Sequence, residues 1–225
     1  MHSSICAAGI LRTFADIDMS PFHFSPDDSC DALIFDCDGT LVNTAKVHLA
    51  GYNAALIEYG TTMAWEWYSS RLGIPARDLL LLFAAEFNVD LQIERAMEIY
   101  ADAFHDNLGL VTEVASVAAL ARTYYTKLPL AVASNGNRDH VRASLGGVRL
   151  LQLFDVIVGR EQVEHGKPAP DLYLEAARRL NVAPERCVVF EDSREGIEAA
   201  RRAGMRAFDV SFALANEDAE SSGTK

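Results

Sequence analysis

The chain contains little cysteine or proline and has neither long apolar runs nor basic runs. Four cysteines and seven prolines among 225 residues are too few for a disulfide scaffold or a collagen-like chain. The longest apolar runs, residues 79–85 and 115–121, are much shorter than the ~20 residues that span a bilayer. The sequence therefore predicts neither a disulfide framework nor a transmembrane helix.

Positive charge is also scarce. Twenty lysines and arginines stand against 32 aspartates and glutamates, which gives a formal net charge of −12. Without a basic stripe, such a chain is a poor partner for nucleic acid or for an anionic membrane surface, and we expect it to bind neither. An anionic substrate would need cations placed locally beside it.

The two ends of the chain show no sustained periodicity. Residues 1–29 lack the positively charged opening of a secretory signal, and they are interpreted as an N-terminal extension. Residues 216–225 are predicted to be a flexible tail. The scattered cysteines suit a reducing compartment, so a cytoplasmic location is expected.

What the chain does have is an alternation of strand and helix patterns. Half of its residues are hydrophobic, and its length favours one core domain with a smaller insertion. The continuous apolar runs typical of buried parallel strands lie at residues 32–35, 129–133, 154–158, 186–190 and 206–210. Helical periods separate these runs, at residues 114–125, 138–145, 171–180 and 194–203. This order predicts an α/β fold with a doubly wound, Rossmann-like parallel sheet.

One region breaks the alternation. Residues 44–107 contain only helical patterns, at residues 45–59, 77–87 and 91–104. We predict an inserted all-helical cap domain here, over the strand ends, and a core domain made of residues 30–43 and 108–215. In a parallel α/β sheet the ligand site lies beyond the carboxyl ends of the strands.

Polar side chains or exposed backbone groups lie at or after the ends of four of the predicted strands. In chain order they are Asp36 and Asp38, then Ser134, Asn135 and Gly136, then Lys167, then Glu191 and Asp192. Each group alone is explained as well by a turn, a helix cap or a solvated loop. Together they supply a nucleophile, an acid, ligands for Mg²⁺ and phosphate-binding groups, which are the parts of a phosphoryl-transfer site.

These segments resemble the four motifs of the haloacid dehalogenase superfamily. The matching stretches are residues 35–42, 133–136, 166–171 and 190–193, and the resemblance spans about residues 30–212. The helical insertion is similar to the small cap of the β-phosphoglucomutase and sugar-phosphatase branch. Thr44 and His48 look like that branch's Thr-x-x-x-His.

The resemblance implies a role for each matching residue. Asp36 would be the nucleophile, Asp38 the general acid and base, and Lys167 the charge that orders nucleophile and phosphate. The phosphate and substrate contacts would come from Thr40, His48, Ser134, Asn135 and Gly136. The Mg²⁺ ligands would be Asp36, Asp38 through its backbone carbonyl, Asp192 and Glu191.

The cap residues bear on the substrate. Arg71 and Arg77 lie in a segment that resembles the cap's specificity loop and could bind a second anionic group. Met97 falls near the position of a family lysine that contacts phosphosugars, which weakens the mutase interpretation.

We therefore expect a Mg²⁺-dependent phosphatase, monomeric or weakly dimeric, that acts on a small phosphorylated metabolite such as a sugar phosphate. A β-phosphoglucomutase-like transfer and a non-catalytic phosphometabolite-binding protein are the alternatives.

Overall fold

The fold is built on a parallel sheet. The computed structural model describes residues 29–211, so the predicted extension and tail lie outside the described residues, apart from Ser29. The strands in this range are β1 (Ala32–Phe35), β2 (Val42–Asn43), β3 (Thr112–Glu113), β4 (Leu130–Ala133), β5 (Val156–Val158), β6 (Cys187–Glu191) and β7 (Arg206–Asp209). Five of them form one sheet in the order β5-β4-β1-β6-β7, with every pair parallel. The predicted α/β fold class is confirmed.

Helices follow most of these strands. They are α1 (Ala45–Ile57), α2 (Trp65–Ser69), α3 (Ala76–Phe87), α4 (Ile93–Asp106), α5 (Ala115–Tyr124), α6 (Arg138–Gly147), α7 (Asp171–Leu180) and α8 (Arg194–Arg202). Between residues 29 and 211, no helix is long and apolar enough to cross a membrane.

The central strands are buried on both faces, which explains their continuous apolar sequences. In β1, Leu33 and Phe35 belong to one hydrophobic cluster, together with residues of α5 and α6. Ala32 and Ile34 belong to a second cluster with residues of α7 and α8. The alternation of side chains along β1 thus divides the core into two layers, one on each side of the sheet.

The helices α1 to α4 interrupt the alternation as expected, and α1 packs along α4. The two short strands β2 and β3 flank this insertion and pair antiparallel, Val42 opposite Glu113 and Asn43 opposite Thr112. This pair and α2 were not predicted, because two residues are too few to show a period and five give little more. The division into a core domain and a cap domain stays a prediction.

The junction of β5 and α6 yields a test of the packing. Gly159 follows β5, and a Cβ at this position would lie 2.7 Å from the Cα of Arg138 at the start of α6. Gly159→Ala should therefore lower the free energy of unfolding by about 1–3 kcal/mol, because helix backbone cannot easily give way. Gly146→Ala is the matched control, since a Cβ there meets nothing within 4 Å. Urea denaturation measures both, and equal stability of the two variants would contradict this packing.

Candidate active site

Two acidic side chains lie side by side at the centre of the sheet. Asp36 directly follows β1, and its backbone N–H donates to the carbonyl of Phe190 in β6 at 3.0 Å. Glu191 is the last residue of β6. The sequence had suggested instead that it lies in the loop that follows this strand. The parallel pairing of Phe35 with Phe190 therefore places the carboxylates of Asp36 and Glu191 next to each other.

Lys167 joins these two carboxylates. Its Nζ donates to Asp36 Oδ1 at 2.5 Å and to Glu191 Oε2 at 2.7 Å. All three side chains are buried, with exposed fractions of 3% for Lys167, 10% for Asp36 and 1% for Glu191. A cation removed from water to this extent needs the two carboxylates to offset its loss of hydration.

Glu191 is held on both of its oxygens. Oε2 also accepts from the Tyr173 hydroxyl at 2.5 Å, and Oε1 accepts from the backbone N–H and the hydroxyl of Ser193. Ser193 in turn caps α8 by accepting from the N–H of Gly196. Glu191 therefore fixes the position of Lys167, and its role as a direct metal ligand stays a prediction.

Burial and charge shift the pKa values in this group in different directions. Burial raises the pKa of Asp36, and the charge on Glu191 adds to this effect. Burial by itself would lower the pKa of Lys167 and raise that of Glu191, but the lysine–carboxylate contacts outweigh it, so Lys167 is raised and Glu191 lowered. Lys167 stays a cation, and further positive charge near Asp36 would favour the ionised form of Asp36.

Asp192 completes an acidic cluster. Oxygen atoms of Asp36, Glu191 and Asp192 all lie within 4.8 Å of one another. The hydroxyl of Thr40 donates to Asp192 Oδ1 at 2.8 Å. Burial, followed by the charge of Glu191, raises the pKa of Asp192 to about 6. Three carboxylates beside a single ammonium leave an excess of negative charge, and an all-oxygen donor set of this kind fits Mg²⁺.

Asp38 lies across a sharp turn from Asp36. Gly39 adopts φ +95°, a left-handed conformation that suits glycine, and a Cβ there would collide with Asp192. Asp38 Oδ1 accepts from the Thr44 hydroxyl at 2.6 Å, and His48 Nε2 lies 3.9 Å away. Burial tends to raise the pKa of Asp38, but His48 and Thr44 reverse this effect and lower it.

The end of β4 faces Asp38. A Cβ on Gly136 would lie 3.5 Å from Asp38 Oδ2 and 3.2 Å from Ser134 Oγ. Ser134 Oγ accepts from the Gly136 N–H at 2.9 Å, so its own proton can point to a ligand. The amide of Asn135 instead bonds the backbone of Lys167, accepting from its N–H at 2.9 Å and donating to its carbonyl at 3.4 Å. In this geometry Asn135 holds the lysine loop.

The structure brings most of the sequence-predicted site residues together. Those with contacts in this region are Asp36, Asp38, Thr40, His48, Ser134, Asn135, Gly136, Lys167, Glu191 and Asp192. Their chemical roles stay predictions.

Arg71 and Arg77, the two arginines of the predicted cap, make their contacts away from the acidic cluster. Arg71 stacks on the Trp67 ring at 4.1 Å and bonds Glu86, while Arg77 bonds Glu94 at 2.7 Å. Both therefore contact acids of the inserted helices α3 and α4 rather than the acidic cluster.

Sequence reasoning missed several supporting residues. Tyr173 and Ser193 hold Glu191, and Tyr100 contacts His48. Ser193 could have been found as a polar residue at the start of a predicted helix. Tyr100 and Tyr173 lie inside helical patterns where a core position is the simpler interpretation, so only the folded chain identifies them.

The Lys167 contacts predict a large loss of stability on substitution. Lys167→Met should lower the free energy of unfolding by about 3–5 kcal/mol at pH 7, because it leaves two buried carboxylates without their cation. Lys127→Met removes an exposed lysine and should change stability by no more than about 0.5 kcal/mol. Urea denaturation of both variants provides the comparison, and a Lys167→Met variant as stable as its control would contradict the buried pairing.

Comparison with known proteins identifies relatives of this chain. A phosphorylated carbohydrates phosphatase from Thermotoga maritima is 32% identical over 183 residues, which cover 78% of this chain and 82% of the relative. The fructose-1-phosphate phosphatase YqaB from Escherichia coli is 32% identical over 178 residues, covering 79% and 95%. The crystal structure of CbbY from Rhodobacter sphaeroides in complex with phosphate is 28% identical, covers 79% of this chain and 84% of that one, and superposes with a TM-score of 0.71.

The family match spans nearly all of the described residues. The haloacid dehalogenase-like hydrolase family matches residues 33–210, from β1 to the residue after β7. This range contains every member of the acidic cluster and Lys167, and the resemblance drawn from the four motifs is confirmed. The chain belongs to the haloacid dehalogenase-like hydrolase family.

Proposed function

We propose that this protein is a Mg²⁺-dependent phosphatase that hydrolyses a small phosphorylated metabolite of the sugar-phosphate class. The observation that carries the proposal is the Asp36–Lys167–Glu191 contact, with Asp192 beside it. Relatives named as sugar phosphatases, at 32% identity over more than three quarters of the chain, support a phosphohydrolase.

In the first step, Asp36 attacks phosphorus. A bond forms between its carboxylate oxygen and phosphorus, and the bond from phosphorus to the sugar oxygen breaks. Asp38 enters this step holding the proton that it took from water in the preceding cycle and gives it to the leaving oxygen, so the product leaves as a neutral alcohol. Lys167 offsets negative charge between the nucleophile and the incoming phosphate. The Ser134 hydroxyl, which accepts from the Gly136 N–H, keeps its own proton free to donate to a phosphate oxygen.

In the second step, water attacks the phosphorus of the aspartyl phosphate. Asp38, now ionised, takes a proton from the water, and the bond between phosphorus and Asp36 breaks to give inorganic phosphate and the free carboxylate. The lowered pKa of Asp38 suits this role as base, and its Oδ2 faces Gly136 at the phosphate side.

Asp36, Asp192 and the backbone carbonyl of Asp38 are the groups that would hold Mg²⁺. When bound, the ion would neutralise phosphate charge in the pentavalent transition state. Thr40 orients Asp192 for this role, and Glu191 supports it indirectly by holding Lys167.

A β-phosphoglucomutase-like transfer would use the same first step and pass the phosphoryl group to a sugar hydroxyl. Such an enzyme must hold a bisphosphate by either end, which calls for cations in the cap. Here Met97 packs against the hydrophobic cluster, and Arg71 and Arg77 pair with acids of the cap. These contacts favour hydrolysis.

Substitution of the nucleophile tests the covalent mechanism. Asp36→Asn should reduce kcat by at least about a thousandfold, because an amide cannot form the acyl phosphate. Asp90→Asn, on the exposed turn before α4, is the matched control and should keep wild-type activity. The measurement is phosphate release from a panel of sugar phosphates. More than a few per cent of wild-type activity in Asp36→Asn would rule out the covalent route.

The metal proposal predicts a change in stability as well as in activity. Mg²⁺ at about one hundred times its dissociation constant should raise the free energy of unfolding by ~2.7 kcal/mol, and Asp192→Asn should lose most of this gain. The pKa of Asp192 in the folded protein is about 6, above its ordinary 3.8. The folded protein therefore loses stability as the pH rises from 3.8 to about 6 and keeps this loss at higher pH. Without metal, Asp192→Asn should be at least as stable as wild type at pH 7.5.

Calorimetry with and without Mg²⁺ measures both effects, and Asp90→Asn again serves as control. Full activity after exhaustive treatment with EDTA, or an unchanged Mg²⁺ response in Asp192→Asn, would contradict this assignment.

The choice between phosphatase and mutase has its own assay. With β-glucose 1-phosphate and a trace of glucose 1,6-bisphosphate, the protein should release inorganic phosphate rather than form glucose 6-phosphate. Rapid formation of glucose 6-phosphate with little free phosphate would instead establish the transfer.

A further inference from the structure

Tyr100 of α4 makes a close contact with the imidazole of His48. Its hydroxyl lies 2.5 Å from His48 Nδ1, and the two rings stack with centroids 6.1 Å apart. Tyr100 is only 2% exposed. The ring of Tyr52 on α1 also stacks on Tyr100, with centroids 4.9 Å apart. The Tyr100 hydroxyl therefore has a fixed partner in His48.

The acceptor role of Asp38 Oδ1 decides which way this hydrogen bond runs, because Oδ1 accepts from the Thr44 hydroxyl whether or not Oδ2 carries a proton. His48 Nε2 points towards Asp38 Oδ1 at 3.9 Å. In a neutral imidazole one nitrogen carries the proton and the other carries a lone pair. A lone pair facing a carboxylate is repelled, whereas an N–H is attracted, so the proton belongs on Nε2. Nδ1 is then the acceptor, and Tyr100 must donate to it.

The surroundings of Tyr100 support its role as the donor. Burial raises the pKa of its hydroxyl, and the neighbouring Tyr52, Tyr68 and Asp38 raise it further. The phenol therefore keeps its proton throughout the pH range in which an enzyme works, and the imidazole receives a permanent donor on its Nδ1 side.

The position of His48 affects Asp38, the acid and base of the proposed reaction. Thr44 and His48 both act on Oδ1 of Asp38. The other oxygen, Oδ2, lies on the side of Gly136 and Ser134. Fixing Oδ1 therefore leaves Oδ2 to exchange the proton with the leaving oxygen and with water.

We propose that Tyr100 is a positioning residue that sets the tautomer of His48 and, through it, the orientation of the Asp38 carboxylate. This inference rests on the proposed function of Asp38, although the tautomer itself can be observed in a protein that shows no turnover. Between residues 29 and 211, Tyr100 makes no hydrogen bond or ring contact with the acidic cluster or with Ser134 and Gly136 at the end of β4. Its effect is therefore expected on kcat rather than on KM.

Kinetics of Tyr100→Phe test whether the Tyr100 hydroxyl affects turnover. The variant keeps the ring that stacks on His48 and Tyr52 and loses only the hydroxyl. On the best substrate of the panel, kcat should fall about tenfold, while KM should change less than about twofold. Tyr68→Phe is the matched control, because Tyr68 is another buried tyrosine that packs on Tyr52. It should keep wild-type kcat.

A double-mutant cycle shows whether Tyr100 acts through His48. In a His48→Asn background, adding Tyr100→Phe should cost no further activity. If Tyr100→Phe reduces kcat as much in that background as in wild type, its hydroxyl acts independently of the imidazole, and the proposal is wrong.

Nuclear magnetic resonance of ¹⁵N-labelled histidine reads the tautomer directly. In the wild-type protein, at a pH where the ¹⁵N signals themselves show a neutral ring, His48 should carry its proton on Nε2. In Tyr100→Phe the signals should shift towards a mixture of both tautomers, and in Tyr68→Phe they should not. A wild-type His48 protonated on Nδ1 would overturn the proposal even if Tyr100→Phe failed to fold. Absence of phosphatase activity in the wild type would instead contradict the proposed function.

Discussion

The buried ammonium of Lys167 is the contact on which the site depends. It lies between Asp36 and Glu191, and without it two carboxylates would face each other out of reach of water. Its loop is fixed by the amide of Asn135, and Glu191 is fixed by Tyr173 and Ser193. Asp36 is thereby tied to elements that are far apart in the chain and close together in the fold.

The parallel sheet makes this convergence possible. The strands β4, β1 and β6 are neighbours, so side chains at or just past their carboxyl ends meet at a single edge. The chain carries a formal net charge of −12, which would repel a phosphorylated substrate at long range. A cation held by the fold, together with a site suited to Mg²⁺, supplies locally the charge that the composition lacks.

The sequence predicted the sheet and the acidic cluster because both leave short-range signals. Continuous apolar runs mark strands buried on both faces, and the polar residues that end these runs mark the site edge. What the sequence could not predict depends on tertiary contacts. The Asn135 side chain hydrogen-bonds the backbone of Lys167. Arg71 and Arg77 pair with Glu86 and Glu94. Tyr100 of α4 contacts His48 of α1. Each of these follows from side-chain direction, which periodicity does not encode.

The central claim is that Asp36 carries the phosphoryl group during turnover. Acid quenching during turnover of a ³²P-labelled sugar phosphate, followed by peptide mapping, tests it most directly. The account predicts label on the peptide containing Asp36, stable in acid and released by base or hydroxylamine, as expected for an acyl phosphate. Substrate consumption with phosphate released and no label on the protein at any quench time would contradict it.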